Sequence, residues 1–181
     1  DKAIEMYELL GVLTGESEML KMELFRLNSL AGRQDVNISA CKKEIKEYPD
    51  NPVKYIRLGD SYLELRDSKK ALKSYDKAAS VDADYGEVYL SYANYYQALG
   101  DTANMIKSLN TAFQLSSVEM EMKKHVFIQY LIKAEKDSVL DSYAYDFYTT
   151  LDSVDSYDAE ISFYYGNYLV SRQDTSGYAY F

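Results

Sequence analysis

The sequence predicts an all-α fold of stacked, antiparallel helix pairs, and three observations carry that prediction. A self-similarity of 34 residues keeps one phase from residue 1 to about residue 119. Small residues, Gly59, Ala71 and Ala78, stand where an amphipathic helix would otherwise place large core side chains. Two Pro and eight Gly are too few for the many turns of an all-β chain, whereas Lys, Glu, Leu, Ala and Met, all helix formers, are plentiful.

Counting from Pro52 as position 1, Leu58 and Gly59 fall at positions 7 and 8, Tyr62 at 11, Asp67 at 16, Ala71 at 20, Tyr75 at 24 and Ala78 at 27. One period later the same places hold Tyr92, Ala93, Tyr96, Asp101, Met105, Leu109 and Ala112. One period earlier, Leu24, Phe25 and Gly32 are in phase, and Asn37 stands where a small apolar residue belongs. Ala3 and Tyr7 continue the phase to the start of the chain. The predicted units are 1–17 (the second helix of a truncated repeat), 18–51, 52–85, 86–119, a divergent repeat 120–158, and a partial repeat 159–181. The divergent unit keeps Tyr130 and Tyr143 and carries about five extra residues, placed in the loop DSVDSYDA. First helices are predicted over 17–31, 52–65, 86–99, 119–134 and 159–171, and second helices over 1–12, 36–48, 68–81, 102–114 and 137–151. Gly15, Gly32, Asp50-Asn51-Pro52 and Gly100 punctuate the loops, and Pro52 suits a helix start because its missing N–H is not needed there.

Tyr55, Leu58, Gly59, Tyr62, Ala71, Tyr75 and Ala78 sit on the signature positions of a known unit, and the chain resembles the tetratricopeptide repeat (TPR) family over nearly its whole length. The resemblance implies a right-handed superhelical solenoid of antiparallel helix pairs, in which the small residues mark close approach between helices. It also implies a concave face lined by the first helices, with positions 2, 5, 9, 12 and 13 pointing into it. Those positions supply the expected partner-binding residues Ile56, Leu63, Leu90, Asn94, Gln97, Lys124, Ile128, Leu131, Phe163 and Asn167. The apolar members would form an exposed track, rimmed by Glu87, Glu121 and Glu160, with Asn94 and Asn167 adding specificity. The carboxylate clamp of chaperone-binding members does not carry over, because Ile56, Asp60, Ser91, Glu121 and His125 occupy its places. The expected partner is therefore a protein or peptide segment, neutral or basic rather than acidic.

Other classes of function find little support. The formal charge is −9 and the pI near 4.7, with basic residues dispersed, a poor footprint for nucleic acid or an anionic membrane surface. No apolar run is long enough for a membrane span. The single Cys41 excludes an internal disulfide and is expected in the core with Ile38 and Ile45. Gly59-Asp60-Ser61-Tyr62 resembles the Gly-Asp-Ser block of one esterase family, but Ser61 is predicted mid-helix and the only His, His125, lacks a nearby upstream Asp. Asp174-Thr175-Ser176-Gly177 is superficially similar to an aspartic-protease loop and falls at a helix–helix turn. Asp82 and Asp84, and Asp152, Asp155 and Asp158, lack the ligand spacing of a calcium loop. No catalytic, cofactor-binding or metal-binding residue is assigned. Nine of the twenty Tyr (Tyr55, Tyr62, Tyr75, Tyr89, Tyr92, Tyr96, Tyr130, Tyr143 and Tyr165) fall on packing positions; Tyr95, Tyr145, Tyr148, Tyr164 and Tyr168 do not, and are candidates for an interface. The expected function is a non-enzymatic interaction scaffold. The alternatives are a sensory or docking arm of a larger signalling protein, or a TPR arm of an enzyme, with the active domain outside these residues. The chain is similar in style to TPR arrays of bacterial cell-envelope proteins, which implies a periplasmic or envelope-associated address, although a cytoplasmic one also fits.

Overall fold

The computed structural model describes residues 2–15, 17–154 and 159–181. Among these residues the chain is built from helices and turns, without strands. Backbone contacts divide it into two compact units, 1–83 and 84–181.

Unit 1 holds α1 (Lys2–Thr14), α2 (Glu18–Leu30), α3 (Gln34–Glu47), α4 (Pro52–Glu64) and α5 (Ser68–Val81). Its helix starts are capped by short polar side chains, as the loop sequences predict. Ser17 accepts from the Leu20 N–H, Asn51 from Val53 and Asp67 from Lys70, at 3.2, 3.0 and 3.1 Å. Pro52 takes the first turn of α4. The turns inside the pairs share one feature, a left-handed residue at position 15: Gly32 in the first and Arg66 in the second, with φ of 72° and 60°.

The α4–α5 pair shows why position 8 is small. A Cβ on Gly59 would lie 2.3 Å from the Tyr75 ring. Tyr75 is fully buried, and its hydroxyl donates to Asp60 Oδ1 at 2.8 Å. The sequence suggested that Gly59 makes room for the backbone beside Ala71; what fills that space is the Tyr75 ring. Ala71 and Ala78 are completely buried.

Unit 2 holds α6 (Glu87–Leu99), α7 (Thr102–Gln114), α8 (Met120–Ala134), α9 (Ser138–Asp141), α10 (Ala144–Val154), α11 (Ala159–Ser171) and a closing 3₁₀ helix (Thr175–Tyr180). The single helix predicted over 137–151 is two, α9 and α10, with a turn at Ser142 and Tyr143. Asp137 caps the first piece through the N–H groups of Val139 and Leu140, and the Tyr130 hydroxyl donates to the Leu140 carbonyl at its end. That carbonyl also accepts from the Tyr143 N–H at 3.0 Å, so a turn and a side chain satisfy it in place of a continuing helix. The core is one cluster in which Phe147 meets Phe113 and Tyr130 edge-on, with centroids 5.5 and 4.5 Å apart. Gly100 and Gln173 repeat the left-handed position, with φ of 73° and 64°. The 3₁₀ helix, capped by Asp174, docks on α11 through Gly177 and Gly166, where a Cβ on Gly177 would come within 2.6 Å of the Gly166 carbonyl. The loop predicted for the extra residues lies mostly at 155–158, outside the described residues, as do Asp155 and Asp158.

Candidate functional site

Consecutive first helices of unit 2, α6 and α8, enclose a groove of about 340 Å³, with α7 and α9 beneath it. Ala93, Met105, Leu109, Tyr130 and Leu140 supply its apolar floor. Its polar groups are Asn94 and Gln97 from α6 and His125, Gln129 and Lys133 from α8. Helical spacing explains this selection: 94 and 97, and 125, 129 and 133, recur every three or four residues, so each set rises along one helix face. The lining carries three side-chain amides, one imidazole and one ammonium, and no carboxylate. Side-chain amides both donate and accept, which suits them to an extended backbone. An apolar floor with a few convergent polar groups is the usual make-up of a binding groove.

The ten residues expected on the binding face divide into three groups. Asn94 and Gln97 line the groove, and Asn167 is exposed on α11. Leu63, Leu90 and Ile128 are half-buried, Leu90 lying against the core cluster. Phe163 is exposed, its ring edge-on to Phe181 at 5.7 Å. The remaining three depart from the expectation. Ile56 and Leu131 are buried, Leu131 within the core cluster of unit 2, so the continuous exposed apolar track does not form. Neighbouring helices cover those positions, and packing of that kind has no signature in a 34-residue period. Lys124 is also buried, held 2.5 Å from Glu121 and 2.6 Å from Glu160. Two of the three rim glutamates are therefore engaged by a lysine.

A matching device operates in unit 1. Lys54, buried, lies 2.7 Å from Glu18 and 3.0 Å from Glu44, while Arg57 reaches Glu18 at 3.1 Å. The bond from Lys54 holds the Glu18 carboxyl below the usual carboxylate range. The Glu18–Lys54 and Lys124–Glu160 pairs each join successive first helices and each span 36 residues. Opposite charges at that separation are the sequence signal that would have revealed them.

The motifs set aside in the sequence are occupied structurally. Ser61 is fully buried in α4 and its hydroxyl donates to the Arg57 carbonyl at 3.0 Å. Cys41 is buried, and burial pushes its thiol up to about 12. Among the described residues no group of three His, Cys, Asp or Glu side chains could hold a metal ion. Of the off-signature tyrosines, Tyr95 and Tyr168 are buried, Tyr168 with its hydroxyl on Asp141 at 2.5 Å; Tyr148 and Tyr164 are half-buried and Tyr145 is exposed. Among the described residues no helix is long and apolar enough to cross a membrane.

Helix pairs of this length, with a small residue against a tyrosine ring and a groove between first helices, define a helical-repeat protein. The tetratricopeptide-repeat family model matches residues 55–85 and 86–118, so these two stretches carry the repeat. Solved structures of the same fold include TTC0263, a thermophilic TPR protein of Thermus thermophilus, at 18% identity and a TM-score of 0.60, covering 93% of this chain and 89% of that one. MamA is similar at 19% identity and a TM-score of 0.54, covering 87% and 90%. A chain of the APC/C Cut9–Hcn1 hetero-tetramer is similar at 13% identity and a TM-score of 0.57; it covers 97% of this chain, which spans only 33% of that longer one. No curated protein matches the sequence.

Proposed function

We propose that residues 1–181 form one repeat array and act as a non-enzymatic scaffold, binding a protein or peptide segment along the first helices. The single-array reading is supported by the 34-residue phase, which passes through 81–87 without insertion. The observation that carries the binding reading is the α6–α8 groove, with its apolar floor and its amides at Asn94, Gln97 and Gln129. An extended segment would bury apolar side chains on Met105 and Leu109 and pair its backbone with the amides. Leu63, Leu90, Ile128, Phe163 and Asn167 extend the same set of helices. The proposed segment is neutral or basic because the chain is acidic overall; against the groove itself, where Lys133 is present and no carboxylate lies in the lining, the stretch in contact is neutral.

The test is a pull-down with the intact protein beside a Gln97→Arg/Gln129→Arg variant. Both residues are exposed, so the variant is expected to keep its circular dichroism and melting temperature while losing its partners. A folded variant that retains every partner overturns the proposal. Leu131→Glu is unsuitable for this purpose, because it would bury a charge in the core.

A further inference from the structure

The second helix of the divergent repeat is turned out of register. Positions 20, 24 and 27 are Ala71, Tyr75 and Ala78 in one unit and Met105, Leu109 and Ala112 in the next, and all six are buried. In the divergent repeat the same positions hold Val139, Tyr143 and Asp146, which are exposed, half-buried and exposed. Buried instead are Leu140, Ala144 and Phe147, each one residue later. Both pieces of this second helix, α9 and α10, are therefore rotated by one residue, roughly 100°. The rotation sets Leu140 in the floor of the α6–α8 groove, with Leu109 and Tyr130.

A helix of four residues has too few backbone bonds to hold such an orientation by itself. Part of the hold on α9 comes from α8, through the Tyr130 hydroxyl on the Leu140 carbonyl. The rest comes from α11, the first helix of the next repeat, and converges on one carboxylate. The Tyr168 hydroxyl donates to Asp141 Oδ1 at 2.5 Å, and Arg172 Nη2 donates to Asp141 Oδ2 at 2.8 Å. The Arg172 guanidinium also lies over the Tyr168 ring, 5.6 Å from its centroid, so the two donors brace each other. Tyr168 is 4% exposed, and hydrogen bonds to a carboxylate are the stronger kind. Neither Tyr168 nor Arg172 lines the groove.

We propose that Asp141 is a latch: by tying α9 to Tyr168 and Arg172 it holds Leu140 in the floor of the α6–α8 groove, so that α11 regulates what the groove binds. The inference rests on the groove being the binding site. With the latch released, α9 keeps only its Asp137 cap and the Tyr130 bond, and Leu140 is free to leave the floor.

Tyr168→Phe/Arg172→Gln removes both donors and leaves α9 and the groove lining unaltered. In the full chain, amide hydrogen exchange at 138–142 is expected to quicken about tenfold or more while α6 and α8 keep their protection, and the Leu140 methyl resonances are expected to shift. The pull-down above is then repeated, the probe being the proteins that the intact chain captures. The latch variant is expected to lose about tenfold in capture, whereas Arg172→Lys, which can keep the ion pair, is expected to hold its partners. Should the double variant fail to fold, Asp141→Asn, which keeps the acceptor for Tyr168 and loses the pair with Arg172, is expected to show the same changes at smaller size. Unchanged exchange at 138–142 overturns the latch. So does full capture by the latch variant when Gln97→Arg/Gln129→Arg loses its partners, and the groove reading then still stands. Full capture by both overturns the groove reading and the latch with it.

Discussion

Asp60 places a carboxyl where a charge is costly. Burial pushes its pKa up to about 6, against the pull of the Tyr75 hydroxyl; Glu64, one turn on, adds to the rise and Arg57 opposes it. A carboxyl whose folded pKa is raised contributes its stability below the unfolded pKa, and that contribution is lost as pH climbs through the folded value. The window here runs from about 4 to above 6. Asp60→Asn keeps the acceptor for Tyr75 and removes the charge. It is expected to be more stable than the parent at pH 8, by up to about 3 kcal/mol, with the gap closing near pH 4. Urea melts across that range measure it, and a gap that ignores pH would refute the account. Position 15 gives a second test at this scale. Arg66 occupies a left-handed conformation that Gly32 and Gly100 adopt without steric cost. Arg66→Gly is expected to gain about 1 kcal/mol, seen as a rise of about 2–4 °C in melting temperature.

At the scale of the helix pair, stability rests on side chains too small to be noticed singly. Ala71 on α5 is completely buried, whereas Lys69, two residues earlier, is exposed. Ala71→Leu overpacks the pair and is expected to cost about 1–3 kcal/mol, while Lys69→Leu stays within about 0.5 kcal/mol. Equal losses in a thermal melt would mean that the register assigned to α5 is wrong. The helix pairs were legible in the sequence because each repeats the same few packing residues: α4 and α5 fall within a residue of the positions that Pro52, Gly59 and Ala71 imply. The break between α9 and α10 was not legible. It depends on Asp137 and Tyr130 holding groups at either end of a four-residue helix, one of them from a different helix.

Across the whole molecule, the candidate site was only half visible beforehand. Asn94 and Gln97 were found because the family resemblance places positions 9 and 12 on the concave face. His125, Gln129 and Lys133 complete the groove from a divergent unit where the period offers little guidance. Ile56, Leu131 and Lys124 were misplaced because exposure depends on what the neighbouring helices carry, and on ion pairs that reach across them.

The closing 3₁₀ helix has an optical consequence. It brings Tyr180 edge-on to Tyr148 and Tyr165, which stack on each other with centroids 4.6 Å apart. With no tryptophan to drain excitation, a photon absorbed by one of these rings wanders among the others before it is re-emitted. Ultraviolet emission from this end of the chain should therefore be strongly depolarised, and because Tyr145, Tyr148 and Tyr168 keep their ring centroids within 6.3 Å of Tyr165, it should stay so even in Tyr180→Phe.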